Sequence, residues 1–255
     1  MAAISYDSPA ILKDFADRYK IDYPLLSDPQ SKTIASYRVL NAEATGMMKG
    51  MALPGYFYID ANGIIREKYF EAKYTDRFTA NNVMAKLFPE LAAEVSQKVD
   101  SPHLSLELIQ SDRAVVPGSR FGLVAQVALP QDVHVYAPAV KGYKPIQLEL
   151  APSLEFELTP PVYPPSKVLY LDAIKEQVPV FEGKFRIKSE VKISANPDFM
   201  KSLGAKGKTI TIAGQLHYQA CDKTTCFLPT SIPLTWQLEI LPVDRQRSPE
   251  PIRHQ

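Results

Sequence analysis

The chain has 255 residues, room for two ordinary domains, and its 45% hydrophobic and 22% charged residues are the balance of a folded globular protein. A net charge of +1 without a basic stripe argues against a nucleic-acid partner. No apolar run approaches the roughly 18 residues that a membrane-spanning helix needs, and Met1–Ser8 has neither the basic nor the apolar region of a signal peptide.

Residues 1–90 alternate strand and helix signals. Ala3–Tyr6 reads as a short strand. Ser8 followed by Pro9 is a helix start, because serine caps free amides and proline fits the first helical position. Ile11, Leu12, Phe15 and Tyr19 follow at helical spacing. Tyr23–Leu26 suits a second strand, and Asp28-Pro29 repeats the helix-start signal ahead of Ile34 and Tyr37. Asn62-Gly63 between Tyr56–Ile59 and Ile64–Phe70 predicts a hairpin, since glycine accepts positive φ. Ala80, Val83, Met84 and Leu87 mark a closing helix. The order β-α-β-α-β-β-α is an α/β pattern. Residues 91–102 read as a polar linker ending at Ser101-Pro102.

From 103 to 243 the periodicity becomes two. Leu104, Leu106 and Leu108 alternate with polar residues, as do Phe121, Leu123, Ala125, Val127 and Leu129. The pattern continues through Phe185 and Ile187, Val191 and Ile193, and Ile210, Ile212, Leu216 and Tyr218. Leu234, Trp236, Leu238 and Ile240 close it. Strands with one buried and one solvated face, punctuated by many of the 22 prolines, predict an all-β sandwich. Residues 244–255 are charged and contain proline, and read as a flexible tail.

The chain holds two cysteines, in His217-Tyr218-Gln219-Ala220-Cys221-Asp222-Lys223-Thr224-Thr225-Cys226-Phe227-Leu228-Pro229. A strand runs into Cys221 and another resumes near Ile232. A four-residue spacer can fold back far enough to bring the two Cα atoms to the roughly 5.5–6 Å usual for a disulfide. Thiol exchange needs an accessible thiolate and a nearby resolving thiol, and a loop on a rigid sheet supplies both. Lys223 would favour a thiolate and Asp222 would oppose it. Two other readings stay open. One is a plain staple, worth only about 2 kcal/mol for so short a loop. The other is a zinc site completed by His217 and His134, although no second metal-like spacing exists.

The segment Tyr218-Gln219-Ala220-Cys221 with Cys226-Phe227-Leu228-Pro229 resembles the signature of the N-terminal periplasmic domain family of the thiol:disulfide interchange protein DsbD. His134-Val135-Tyr136, Phe181-Glu182-Gly183-Lys184 and the strand Pro233–Leu241 support the resemblance. It implies an immunoglobulin-like fold that relays reducing equivalents from a membrane donor to extracytoplasmic disulfide proteins, without cofactor or metal. It implies that Cys226 forms mixed disulfides and that Cys221 resolves them. Phe181 then falls where the family has an aromatic cap, and Tyr136 matches a tyrosine near the pair. The spacer here is shorter than in the best-known member.

Residues 1–90 resemble the second half of an AhpC/TSA-type redoxin of the thioredoxin-like superfamily. The resemblance rests on Ile4–Ser8, on Tyr23-Pro24-Leu25-Leu26-Ser27-Asp28, and on Pro54–Asp60 with Asn62-Gly63. It implies that the reactive cysteine belongs to a strand–helix unit preceding the given start, so the module reads either as truncated, with Met1 a miscalled start, or as degenerate. No cysteine lies in residues 1–220, so this module is not itself a thiol peroxidase. The expected architecture is a partial thioredoxin-like module followed by an immunoglobulin-like sandwich. The expected activity is thiol–disulfide exchange with thioredoxin-like or membrane-bound donors. A non-catalytic scaffold with a structural disulfide is the alternative, and a thiol peroxidase is the alternative for a longer protein.

Overall fold

Period-two patterning becomes buried–exposed alternation along the long strands. The computed structural model describes residues 1–89, 94–171, 175–244 and 246–253. In it, Thr230–Ile240 buries Ile232, Leu234, Trp236, Leu238 and Ile240 and exposes the residues between them. Ser119–Ala128 likewise buries Phe121, Leu123, Ala125 and Val127 on one face. The molecule is mostly β-sheet with few helices.

One four-stranded sheet runs in the order Gln147–Leu150, Lys208–Tyr218, Thr230–Ile240, Ala114–Val115. A six-stranded sheet runs Phe156–Leu158, Lys184–Ile193, Ser119–Ala128, Leu104–Gln110, Glu94–Ser101, with Arg77–Phe78 paired parallel to Ser119–Ala128. Leu106, Phe121 and Ile187 from the larger sheet share one core with Ile212, Leu216 and Trp236 from the smaller. Two sheets closing over one core is a stable solution for strands that are apolar on one side. Pro233 is tolerated because Ala114–Val115 pairs only with Glu239 and Ile240, leaving that edge free beside the proline.

A third sheet carries the cysteines. Its order is Lys167–Leu171, Glu176–Glu182, His134–Tyr136, Ala220–Cys221. Successive side chains of a strand point to opposite faces. Val135, Phe181 and Ala220 therefore join the main core, while Tyr136, Val180 and Cys221 form a second cluster with Val178. At Gly183, φ is +63°, the left-handed turn that returns the chain from Glu182 into Lys184–Ile193.

The chain divides into two compact units, Met1–Tyr74 with Val243–Gln255, and Thr75–Pro242. These limits differ from the boundaries read off the sequence. The helix Ala80–Leu87, expected to close the first module, belongs with the second. Its N-cap Thr79 accepts from Asn82 N and donates to Asp112, and Asn82 Nδ2 donates to Arg120 O and Glu190. Residues 94–101, expected as linker, form a strand paired with Leu104–Gln110. In the first unit, Arg18 donates to Gln246 O at 3.4 Å and Tyr19 to the Asp244 carboxylate, so residues 244 and 246 are held rather than loose.

The first unit follows its local signals. Ala3–Ser5 pairs in parallel with Leu25–Ser27 around the helix Pro9–Tyr19, which Ser8 caps by accepting from Ile11 N. Asp28 starts its helix from a distance, accepting from Lys32 N and Ile34 N, and the helix itself spans Lys32–Ser36. Gly55–Ile59 and Ile65–Phe70 form the hairpin, with Asp60 accepting from Asn62 N and Ile64 N across the turn. Those amide bonds, that of Ile64 foremost, hold the Asp60 carboxyl below the usual carboxylate range. Among the described residues no helix is long and apolar enough to cross a membrane.

Candidate functional site

Strand Lys208–Tyr218 leaves its sheet at Gln219. Ala220–Cys221 then pairs with His134–Tyr136, Val135 opposite Ala220 and His134 opposite Cys221. Four residues later the chain returns. Asp222 N donates to Thr225 O and Phe227 N to Ala220 O, both at 2.9 Å. Cys221 and Cys226 thus face each other as an antiparallel pair without mutual hydrogen bonds. Such pairs bring Cα atoms to about 4.5 Å. The observed separation is 4.1 Å, and the sulfurs are bonded. The turn geometry makes this pair closer than the spacing alone predicts.

Asp222 builds the turn. Its Oδ1 accepts from Thr224 N and Thr225 N, each at 2.7 Å, and from the Thr224 hydroxyl. The two amides hold its carboxyl below the usual range. Lys223 points its ammonium to Asp132, at 2.8 Å, which raises the lysine's affinity for its proton. Its charge is spent on that exposed pair rather than turned toward the sulfurs.

The two cysteines differ in access. Cys221 is 1% exposed, whereas Cys226 lies on the exposed side of the turn, followed by Leu228 at 86%. Phe227 between them stacks on His103 with ring centroids 3.5 Å apart. Tyr136 lies over the bond, its oxygen 3.6 Å from Cys226 Sγ and 3.7 Å from Cys221 Sγ. Neither sulfur carries a proton in the disulfide, so the phenol is the donor. Burial, with Glu176 adding to it, raises the Tyr136 pKa and keeps that proton in place. Tyr143 stacks on Tyr136 at 4.6 Å and donates to Glu176 at 2.9 Å.

The structure brings Cys221, Cys226, Tyr136 and Asp222 together, with Lys223 on the turn but facing away. It does not bring Phe181 to the disulfide. Phe181 is in the main core, stacked on Phe185 at 4.7 Å, because it pairs with Val135 and shares that residue's face. The cap expected of Phe181 is thus not met by its place in the main core; the face that carries Cys221 holds Val180 instead. Tyr218 is also in the main core, where its hydroxyl donates to Pro102 O and meets Ser101 Oγ. Sequence reading missed Val180, Val178, Tyr143, Leu169 and Leu171, which pack around Tyr136 and Cys221. The alternation of Val178 and Val180 was the available signal; which face it served was not.

His217, a zinc candidate, has its Nδ1 2.6 Å from Ser231 Oγ and its Nε2 3.6 Å from Glu149. His134 is 4% exposed, and its Nε2 is without a hydrogen-bond partner among the described residues. Among the described residues no group of three or more His, Cys, Asp and Glu is arranged to hold a metal ion. The chemistry open to the site is sulfur exchange.

Residues 105–233 match the family described as thiol:disulfide interchange protein DsbD, N-terminal, and residues 1–68 match the AhpC/TSA family. Among solved structures, the chain is similar to the N-terminal periplasmic domain of ScsB from Proteus mirabilis. That likeness has 10% identity and a TM-score of 0.36, and covers 58% of this chain and 51% of that one. A family 123 glycoside hydrolase from Clostridium perfringens is similar at 8% identity, over 52% of this chain and 23% of that one, with a TM-score of 0.24. The chain thus spans about half the length of the ScsB domain chain that it matches. No curated protein matches the chain.

Proposed function

Because the chain belongs to the family of the thiol:disulfide interchange protein DsbD, N-terminal, we propose that its Cys221–Cys226 pair relays electrons between thiol proteins, with Cys226 as the sulfur that partners attack. The unequal exposure of the two cysteine residues carries this reading. A partner thiolate forms a bond to Cys226 Sγ, and the Cys221–Cys226 bond breaks. Cys221 leaves with the electron pair and takes up a proton. The partner's second thiolate then attacks its own sulfur in the mixed disulfide, releasing Cys226 as thiolate and the partner as a disulfide. Two electrons move, and no cofactor is needed. Run backwards, the same steps reduce a partner's disulfide.

The brace reading has less to explain, because Asp222 and the backbone already hold the turn. We assign the partners to thioredoxin-like proteins or a membrane-bound donor, and the place to an extracytoplasmic, periplasm-like compartment, on the family's account. The same account supports an immunoglobulin-like fold for residues 103–243, and the AhpC/TSA match over residues 1–68 supports a redoxin-like module within residues 1–90. The first module has no cysteine for peroxide chemistry.

Cys221→Ala is expected to accumulate a mixed disulfide through Cys226 when mixed with a thioredoxin-like dithiol protein in its disulfide form. Cys226→Ala is expected to accumulate none, as read by non-reducing electrophoresis and mass spectrometry. A redox titration of the unaltered chain completes the test. A pair that remains oxidised below about −300 mV would be a structural disulfide and would end the proposal.

A further inference from the structure

We infer that His134 is the base that takes the Cys221 proton when the reduced pair resolves a mixed disulfide. The inference rests on the exchange reading above and assigns the proton path at that site.

Four observations place His134 there. It pairs directly with Cys221 across two antiparallel strands, so both side chains project from the same face of the sheet. Directly opposed residues hold their Cβ atoms about 4.5–5.5 Å apart. The ring meets Tyr136 edge-on, at 5.6 Å and 83°, and the Tyr136 oxygen lies 3.7 Å from Cys221 Sγ. The side chain is buried, and Nε2 has no hydrogen-bond partner among the described residues. An unpaired buried ring nitrogen is costly and needs a reason, and in the tautomer with the proton on Nδ1 it is an acceptor. In the disulfide there is no thiol proton to receive; in the dithiol, Cys221 S–H is a donor on the same face.

The chemistry needs such a group. Cys226 faces solvent and loses its proton to water, but Cys221 is 1% exposed. A buried thiol holds its proton more firmly than a free one. Three other ionisable groups at the pair are committed. The Tyr136 phenol keeps its proton through burial, Lys223 is paired with Asp132, and Asp222 is bonded to its own turn. The groups facing the His134 ring are Glu182, opposite it on the neighbouring strand and 3.5 Å from Lys167, then Asp222, Tyr136 and Cys221. Burial lowers the imidazole pKa, and the two carboxylates oppose this with smaller effect. The ring is therefore neutral near pH 7 and able to accept.

Each step balances. The Cys226 thiolate attacks a partner disulfide, and the first partner thiolate leaves. The Cys221 proton passes to His134 Nε2, forming imidazolium. The Cys221 thiolate then bonds to Cys226 Sγ, and the mixed disulfide breaks, releasing the second partner thiolate with the electron pair. Imidazolium returns its proton to water. The pair loses two electrons, and the partner disulfide gains them. In the opposite direction the imidazolium protonates the departing Cys221.

The test uses the full chain, reduced and mixed with dithiobis(nitrobenzoate). Nitrobenzoate thiolate is released twice, first on attack by Cys226 and then on resolution by Cys221. His134→Gln is expected to keep the first phase and slow the second about tenfold or more at pH 7. In the unaltered chain the second phase should level off above about pH 6.5 and stay flat to about pH 8. In the variant it should climb about tenfold per pH unit toward the thiol range near 8.5 or above. The inference is overturned if both proteins share one rate and one profile. It is also overturned if the unaltered chain's second phase climbs through pH 8, a measurement that needs no variant to fold. Loss of the first phase from the unaltered chain would instead strike the exchange reading itself.

Discussion

The two faces of the cysteine-bearing sheet do different work. Val135, Phe181 and Ala220 contribute to a core that runs through both large sheets and includes Trp236, Phe121 and Leu216. One residue along each strand, Tyr136, Val180 and Cys221 form a small cluster with Val178, sheltered by partly buried Tyr143, Val140, Leu169 and Leu171. A disulfide placed in the large core could not open without leaving unpaired sulfurs among tightly packed apolar groups. Placed on the small cluster, at the end of a turn that has its own hydrogen bonds, it can open while the core stays shut. Separate clusters thus let one domain be both rigid and reactive.

The strongest way to break this comparison is to damage the core and watch the disulfide. Trp236 is 1% exposed, and Trp236→Ala should cost about 3–5 kcal/mol. The lower end applies, because Trp236 Nε1 has no partner among the described residues and its removal relieves a buried donor. Urea unfolding should show the loss, while the reduction potential of Cys221–Cys226 remains unchanged. A potential that moves with the core would mean that the clusters are one.

The core was legible in the sequence because alternation alone selects it. Leu234, Trp236, Leu238 and Ile240 are all buried as their period requires. The cysteine pair was legible through its short spacer, and the Asn62-Gly63 hairpin through its turn chemistry. What failed was parity between strands. Phe181 and Val180 are both apolar, and only the register of Glu176–Glu182 against His134–Tyr136 decides which of them meets the sulfurs. A shift of one residue exchanges the faces, and nothing local in Val-Pro-Val-Phe fixes it. Ala80–Leu87 was misplaced for a related reason. Its helical period was plain, but its docking depends on Asp112, Arg120 and Glu190, far along the chain.

A smaller effect sharpens the comparison from the other side. Reducing the disulfide should lower stability by about 2 kcal/mol, the loop-closure value for so short a span. Trp236 fluorescence should not change on reduction, and the urea transition should remain a single step for residues 75–242. If reduction unfolds the domain or exposes Trp236, the disulfide is a staple of the core and the two-cluster account fails.

The smallest effect isolates the turn. The amides of Thr224 and Thr225 depress the Asp222 pKa in the folded chain, and the unfolded value is about 3.9. For a depressed carboxyl the unfolded state binds the proton more readily, so the charge stabilises the fold above about pH 3.9. That contribution fades as pH falls through the lower, folded value. Asp222→Asn keeps an acceptor oxygen and removes only the charge. The stability gap between the two proteins should therefore be widest at neutral pH and close in acid. A gap produced by Trp236→Ala should show no such closure, because no titration underlies it. Because the Asp222 carboxylate sits on a surface turn, added salt should also shrink the neutral-pH gap. A gap indifferent to both pH and salt would mean that the turn is held by the backbone bonds alone, leaving the charge of the Asp222 carboxylate no part in holding it.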